Sequence, residues 1–370
     1  MTTPRRRAAL RLLTLCTIAL CTAPAFAHNE IPGAKQEKPV ALTNAKIYTV
    51  AAGIIERGTV VFDKGKIISV GATAAIPAGA DVIDCAGKSV YPGFIAPSTT
   101  LGLTEIDAVR ATRDMAESGV WNPNACGAVA YNPDSEIIPT VRINGVLIAN
   151  VMPQGGVVSG TSSLMMMDGW TREDIALRQR AALVVNIPNL AVFSAPWMQK
   201  SPDEQRKDGE KRLQELYGYF EKAQMYSRAA RQGLADGRKD IRLEAMRPVF
   251  ESQLPVILNC SEYKQILAAI EFAKKFNLRA ILNGADDAWR LTAEIKASGF
   301  PVIVERVHGL PRREDEGYDQ TYQLPRILAE AGIVFAFSDN GSWQQRNLPF
   351  MAGSAMAFGL KEEDAVRALT

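Results

Sequence analysis

Between residues 39 and 91, short β-branched runs alternate with polar positions and no helical period develops. Val40-Ala-Leu, Ala45-Lys-Ile-Tyr-Thr-Val, Gly58-Thr-Val-Val-Phe and Lys66-Ile-Ile-Ser-Val read as strands. Asp63-Lys-Gly-Lys between two of them reads as a hairpin turn. This stretch is expected to form a small antiparallel sheet without helices. After residue 91 the pattern changes. Continuous apolar runs predict strands over 91–96, 146–152, 182–187, 255–260, 279–283, 301–307 and 333–338. Amphipathic stretches predict helices over 202–230, 241–252, 261–276, 285–298, 323–331, 344–358 and 362–369. Ile266, Ala269, Ile270 and Ala273 show the helical spacing directly. Fully apolar strands alternating with helices imply a parallel sheet covered on both faces. Four such units in succession after an earlier set of strands favour a (β/α)8 TIM-type barrel over an open doubly wound sheet.

Two segments interrupt this pattern. Residues 102–144 form a long polar connection, and Pro153-Gln-Gly-Gly-Val-Val-Ser-Gly-Thr-Ser-Ser follows a strand directly. Loops after strand carboxyl ends build the active face of a barrel, although a plain crossover accounts for the composition equally well. No GxGxxG or GxxxxGK[ST] opens any helix, which argues against dinucleotide and P-loop chemistry.

Composition alters the picture at the amino terminus. Arg5, Arg6 and Arg7 precede an apolar stretch over 8–23, and Ala25-Phe26-Ala27 has the small-x-small pattern that a signal peptidase accepts. Residues 1–27 therefore read as a secretory signal, and the protein is expected in the periplasm or outside the cell. The apolar stretch is shorter than the roughly 20 residues of a membrane span, and no later run reaches that length. Loss of the four arginines within 1–27 takes the formal charge from +2 to −2. No basic field for nucleic acid remains. Cys16 and Cys21 leave with the signal. Cys85, Cys126 and Cys260 lie far apart and form no CxxC, so they read as buried small apolar residues. The chain holds two histidines, His28 and His308, which excludes any site built from three imidazoles of one chain.

Gly87-Lys-Ser-Val-Tyr-Pro-Gly-Phe-Ile, following a small β segment, resembles the amidohydrolase superfamily, and within it the exported imidazolonepropionase-like branch. The resemblance continues through Tyr131-Asn-Pro-Asp-Ser-Glu, Val151-Met-Pro-Gln-Gly-Gly, Met167-Asp-Gly-Trp, His308-Gly-Leu-Pro-Arg-Arg-Glu-Asp and Phe337-Ser-Asp-Asn-Gly. It implies an α/β fold: a (β/α)8 barrel over 91–370 with a small β-sandwich domain over 28–90. It also implies hydrolysis of carbon–nitrogen bonds other than peptide bonds, driven by a divalent metal such as zinc. In the family an HxH pair, two further histidines and an aspartate hold the metal, which activates water and polarises the carbonyl.

The matching positions here carry Ser98, Thr100, Asn259 and Asn283, and the aspartate persists as Asp339. Hydroxyls and carboxamides are poor zinc ligands, so no metal ligands are assigned. The replacements are all polar. Ser98, Thr100, Asn259, Asn283 and Asp339 are expected to converge at the barrel mouth. There they either hold a small-molecule substrate, with Asp339 as base, or form a self-satisfied polar network. His308 is a weaker candidate for acid–base work, with loop anchoring as the other role. Arg312 and Arg313 sit in a mixed-sign run that reads as a solvated face or as a carboxylate clamp. Asp286 and Asp287 read as caps of the following helix.

Family members add strands after the position of Thr370 that complete the β-sandwich. The sandwich is therefore expected to be incomplete, with an exposed edge through which homo- or hetero-oligomers form. A non-catalytic periplasmic binding or scaffold subunit, paired with a metal-competent relative, is the alternative to a hydrolase with a degraded metal site.

Overall fold

The computed structural model describes residues 31–192, 198–234, 239–339 and 341–370, so the signal reading for residues 1–27 and His28 lie outside the described residues. Gly33–Thr370 forms one unit. Its first part is a single five-stranded sheet of β1 (Val40–Tyr48), β2 (Ile54–Asp63), β3 (Lys66–Gly71), β4 (Asp81–Asp84) and β5 (Ser89–Val90), ordered β3-β2-β1-β4 with β5 also on β1. Strands β1 to β3 pair antiparallel as the alternation predicts, whereas β4 and β5 run parallel to β1. The β2–β3 turn closes through Lys64 at φ 48° and Gly65 at φ 73°, the left-handed pair that a two-residue hairpin turn demands. Tyr48 at the end of β1 stacks on Tyr91 and donates a hydrogen bond of 2.7 Å to Glu362. Ile67, Val70, Val82 and Ile83 on β3 and β4 are exposed.

Two further sheets follow. One holds β6 (Phe94–Thr99), β7 (Val146–Val151), β9 (Ser163–Met166) and β10 (Ala176–Arg178), in the order β10-β9-β7-β6. The other contains β8 (Val158–Thr161), β11 (Leu183–Asn186), β12 (Val256–Cys260), β13 (Ala280–Gly284), β14 (Val302–Glu305) and β15 (Phe335–Ser338), in the order β15-β14-β13-β12-β11-β8. Strands β11 to β15 are mutually parallel, as the apolar runs predict. The two sheets meet where Ser338 Oγ donates to Ser98 O at 2.7 Å and Thr100 N donates to Gly341 O at 3.4 Å. Strands β8, β9 and β10 escape the periodicity argument. The Ser, Gly and Thr of β8 carry a loop composition, and β8 is buried on both faces, whereas β9 (Ser-Leu-Met-Met) is half-buried and β10 (Ala-Leu-Arg) is mostly exposed. Ser159, Thr161 and Ser163 are all fully buried.

The helices are α1 (Ile137–Arg142), α2 (Pro202–Arg231), α3 (Ile241–Phe250), α4 (Tyr263–Lys275), α5 (Thr292–Ser298), α6 (Gln320–Glu330), α7 (Leu348–Ala357) and α8 (Glu362–Leu369). Helix α2 starts in a capping box: Ser201 Oγ accepts from Glu204 N, and Glu204 Oε2 accepts from Ser201 N at 2.8 Å. The 102–144 connection is not structureless. It contains α1, a short helical turn Gly127–Ala130 and bridges such as Trp121 to Val158.

Strand alternation decides what faces where. On β11 to β14, Leu183, Val185, Val256, Leu258, Leu282, Val302 and Val304 belong to the large core shared with the helices. Val184 and Ile257 belong to a separate small cluster on the opposite face, with Met152 and Ala182. In the large core Phe220 of α2 packs edge-on against Phe272 of α4, with ring centroids 4.7 Å apart, and against Phe250 of α3. Phe220 is fully buried. Phe220→Ala is expected to cost about 3–5 kcal/mol through lost transfer energy and the cavity left behind. Urea unfolding followed by far-UV circular dichroism measures it.

Candidate functional site

The carboxyl ends of the strands surround a cavity of about 550 Å³. Its polar wall follows from the alternation. Asn186, Asn259 and Asn283 each stand two residues after an apolar residue of the opposite-face layer (Val184, Ile257 and Ile281). The parallel register sets Asn186 beside Asn259 and Asn259 beside Asn283. On β14 the register is Asn283 to Ile303, so Glu305 rises one side-chain step higher on the same face.

These side chains form a continuous chain of hydrogen bonds. Asn186 Nδ2 donates to Ser159 Oγ and to Gly156 O, both at 2.9 Å. Asn259 Nδ2 donates to Asn186 Oδ1 at 2.7 Å, and Asn283 Nδ2 donates to Asn259 Oδ1 at 2.9 Å. Asn283 Nδ2 also donates to Glu305 Oε1 at 2.9 Å, and Ser98 Oγ donates to the same oxygen at 2.9 Å. Since a carboxylate only accepts, Glu305 fixes the orientation of the Asn283 amide. Asn283 Oδ1 is left buried without a partner.

Burial pushes the Glu305 carboxyl above its ordinary range. The negative charges of Asp286 and Asp339 push the same way, and the bonds from Asn283 and Ser98 oppose it. A second wall is built from Ser261, Asp286 and Arg312. Arg312 pairs with Asp286 at 2.7 Å, and Ser261 donates to Asp286. Burial raises the Asp286 carboxyl too, against the pull of Ser261 and Arg312. Cys260 lines the cavity, but burial drives its thiol well above the usual range, which removes thiolate chemistry.

The expected convergence is met in part. Ser98, Asn259 and Asn283 line the cavity together. Thr100 and Asp339 are buried and do not line it; the Asp339 carbonyl accepts from Gln345 Nε2. His308 is exposed and shares a 2.7 Å hydrogen bond with Ser354 Oγ of α7, an anchor for its loop rather than a cavity group. Asp286 faces the cavity instead of capping its own helix. Asp287 is buried, accepts from the backbone N of Tyr263 at the start of α4 at 2.9 Å, and is bound by Arg313 through two nitrogens. Arg312 and Arg313 thus tie their loop to consecutive aspartates.

Glu305 and Asn186 are the site residues that the sequence argument missed. Val302-Ile-Val-Glu ends a strand with the same apolar-x-polar step as Ile257-Leu-Asn and Ile281-Leu-Asn. That repeated step was the available signal.

A zinc ion does not fit these residues. Ser98, Asn186, Asn259 and Asn283 on the cavity wall present neutral hydroxyl and carboxamide groups, which hold zinc poorly. The Oδ1 atoms of Asn186 and Asn259 are already accepting hydrogen bonds. Among the described residues no group of three His, Cys, Asp or Glu side chains is placed to share a metal ion.

The raised carboxyl makes a stability prediction. Glu305 binds its proton more tightly in the folded than in the unfolded chain. Its contribution is therefore fully present below the unfolded value of about 4.3 and is lost as pH rises through the folded value. Glu305→Gln keeps an acceptor for Ser98 and Asn283 but carries no charge. It is expected to raise the melting temperature near pH 8 by roughly 2 °C or more. The gain should shrink to nothing as pH falls toward 4. Calorimetric scans of both proteins across pH 4–8 check this.

No protein-family model and no curated protein matches the sequence. Solved structures do match. An amidohydrolase from Thermotoga maritima MSB8 superposes with a TM-score of 0.75 at 20% identity, covering 90% of this chain and 86% of that one. A prolidase crystallised with N-methylphosphonate-L-proline superposes with a TM-score of 0.50 at 15% identity, covering 90% and 85%. The chain thus shares the α/β fold of amidohydrolase structures, which are TIM-barrel folds.

Proposed function

We propose that the 550 Å³ cavity is a hydrolytic site for a small amide, lactam or imide, with Glu305 as the residue that moves the proton. One observation carries this reading. Glu305 Oε1 is held by Ser98 and Asn283, while Oε2 has no hydrogen-bond partner among the described residues, and the carboxyl is raised. A general base works best with its affinity near the working pH and its orientation already set. Glu305 Oε2 takes a proton from water as the water oxygen bonds to the substrate carbonyl carbon. The same carboxyl then returns the proton to the nitrogen as the C–N bond breaks. Arg312, a cation that lines the same cavity, supplies positive charge for the developing oxyanion. The fold shared with an amidohydrolase and a prolidase supports a carbon–nitrogen substrate. Export to the periplasm or beyond is part of the proposal and rests on the Arg5–Arg7, apolar and Ala25-Phe26-Ala27 succession.

The test is a panel of amides, lactams and imides assayed with the full-length expressed protein. Turnover of at least one class is expected. Glu305→Gln should lower kcat about 10²- to 10⁴-fold. The acid limb of the rate profile should lie above the ordinary glutamate value of about 4.3. No turnover across the panel, with or without added Zn²⁺, Mn²⁺ or Mg²⁺, sinks the proposal, and so does an unimpaired Glu305→Gln enzyme. For export, the mass of the protein recovered from a Gram-negative host is expected to place the new amino terminus at His28. An uncleaved cytoplasmic product would contradict that.

A further inference from the structure

Two donors hold Glu305 Oε1, and they arrive by different routes. Asn283 lies on β13, the ladder neighbour of β14, so strand register alone places it. Ser98 comes from β6, which ends one sheet, just as β15 ends the other. At that seam side-chain donors join the two. The Ser98 carbonyl accepts from Ser338 Oγ at 2.7 Å and from Gln345 Nε2 at 2.9 Å. A carbonyl oxygen has two lone pairs, so this one is filled. Ser338 is the ladder partner of Glu305, which refers Ser98 to the strand pair that carries the carboxyl.

Gln345 lies in the short helical turn Trp343–Asn347 that follows β15, and it is fully buried. Its Nε2 also donates to Asp339 O and, at 3.3 Å, to Gly341 O. Three acceptors around one nitrogen set the amide orientation, since an oxygen in that place would face only carbonyls. Oε1 is left buried without a partner. An apolar side chain of the same length would fill the space without stranding that oxygen. What the amide adds is its hold on the carbonyls. Of the three, only that of Ser98 belongs to a residue whose side chain lines the cavity.

We infer that Gln345, together with Ser338, is a positioning residue for Glu305. By holding the Ser98 carbonyl across the seam, the pair aims the Ser98 hydroxyl at Glu305 Oε1 and leaves Oε2 to the cavity. The effect on turnover rests on the hydrolytic reading of Glu305; the aim of Ser98 rests on the hydrogen bonds alone.

Carbon NMR of the full chain, labelled at its glutamate side-chain carboxyls, follows Glu305, whose signal is the one missing from Glu305→Gln. Gln345→Met keeps the length and removes the donor. The Ser98 hydroxyl then loses its aim, the carboxylate loses a donor, and the Glu305 titration midpoint should move up in pH. Ser98→Ala removes the donor directly and should move the midpoint the same way. The two changes together should move it no further than Ser98→Ala alone, as steps on one path do. That comparison also separates Ser98 from Asp339, whose carbonyl Gln345 touches and whose charge raises Glu305, because an effect through Asp339 would persist without the Ser98 hydroxyl. Ser338→Ala is the smaller change, should shift the midpoint upward too, and decides the matter where Gln345→Met does not fold. A plain structural staple would lower the melting temperature and leave the midpoint unmoved. A folded Gln345→Met or Ser338→Ala protein with the wild-type midpoint therefore overturns the inference, and so does an additive double variant. The titration needs no turnover, so it decides the inference even where the amide panel sinks the hydrolytic reading. With a substrate in hand, Gln345→Met should lower kcat about threefold to tenfold, the worth of one hydrogen bond, at unchanged KM.

Discussion

The two-residue alternation of parallel strands held in register is the constraint on which the rest of this structure depends. Along β11, β12 and β13 an apolar residue and an asparagine follow each other on one face. Pairing Asn186 with Asn259 and Asn259 with Asn283 makes the apolar residues one layer and the carboxamides another. A slip of one residue would turn the asparagines into the helix-facing core and the leucines of that core into the cavity. The hydrophobic demand on Leu258 and Leu282, which are both fully buried, therefore sets the position of the polar wall.

The polar wall is electrically sparse. Carboxamides in sequence relay one another's dipoles, each amide donating to the next oxygen, and the relay ends on one carboxylate. Glu305 receives two donors but, among the described residues, no cation. Its environment therefore disfavours the charged form, and the nearby Asp286 and Asp339 add to this. The contrast lies on the adjoining wall. There Arg312 and Arg313 pair with Asp286 and Asp287, and the loop that follows β14 is tied to the end of β13 by charge. The cavity wall thus presents a carboxamide relay, a donor set that holds zinc poorly.

Local pattern predicted the long elements well, because burial and periodicity agree there. Helix α2, expected over 202–230, runs Pro202–Arg231, with its cap at Ser201; β12 lies within its apolar run and β13 ends one residue past its own. The failures have a common cause. Strand β8 read as a loop because of its Gly and Ser; complete enclosure by neighbours made it a strand. Strands β4 and β5 joined β1 in parallel, a choice made by chain crossing rather than by local alternation.

The site divides the same way. The sequence by itself determined that two histidines cannot build a three-imidazole site within one chain, that Ser98, Asn259 and Asn283 stand at strand ends, and that a fold of alternating strands and helices carries them. Those are consequences of residue identity and short-range period. Which carboxylate faces the cavity was decided only by the tertiary structure. Asp339 and Glu305 both lie at or beside a strand carboxyl end, but the β13–β14 register carries Glu305 up the inner face to line the cavity, whereas Asp339 is buried and is not among the residues that line it. That outcome depends on the stagger between strands far apart in the chain, a quantity that no local pattern encodes.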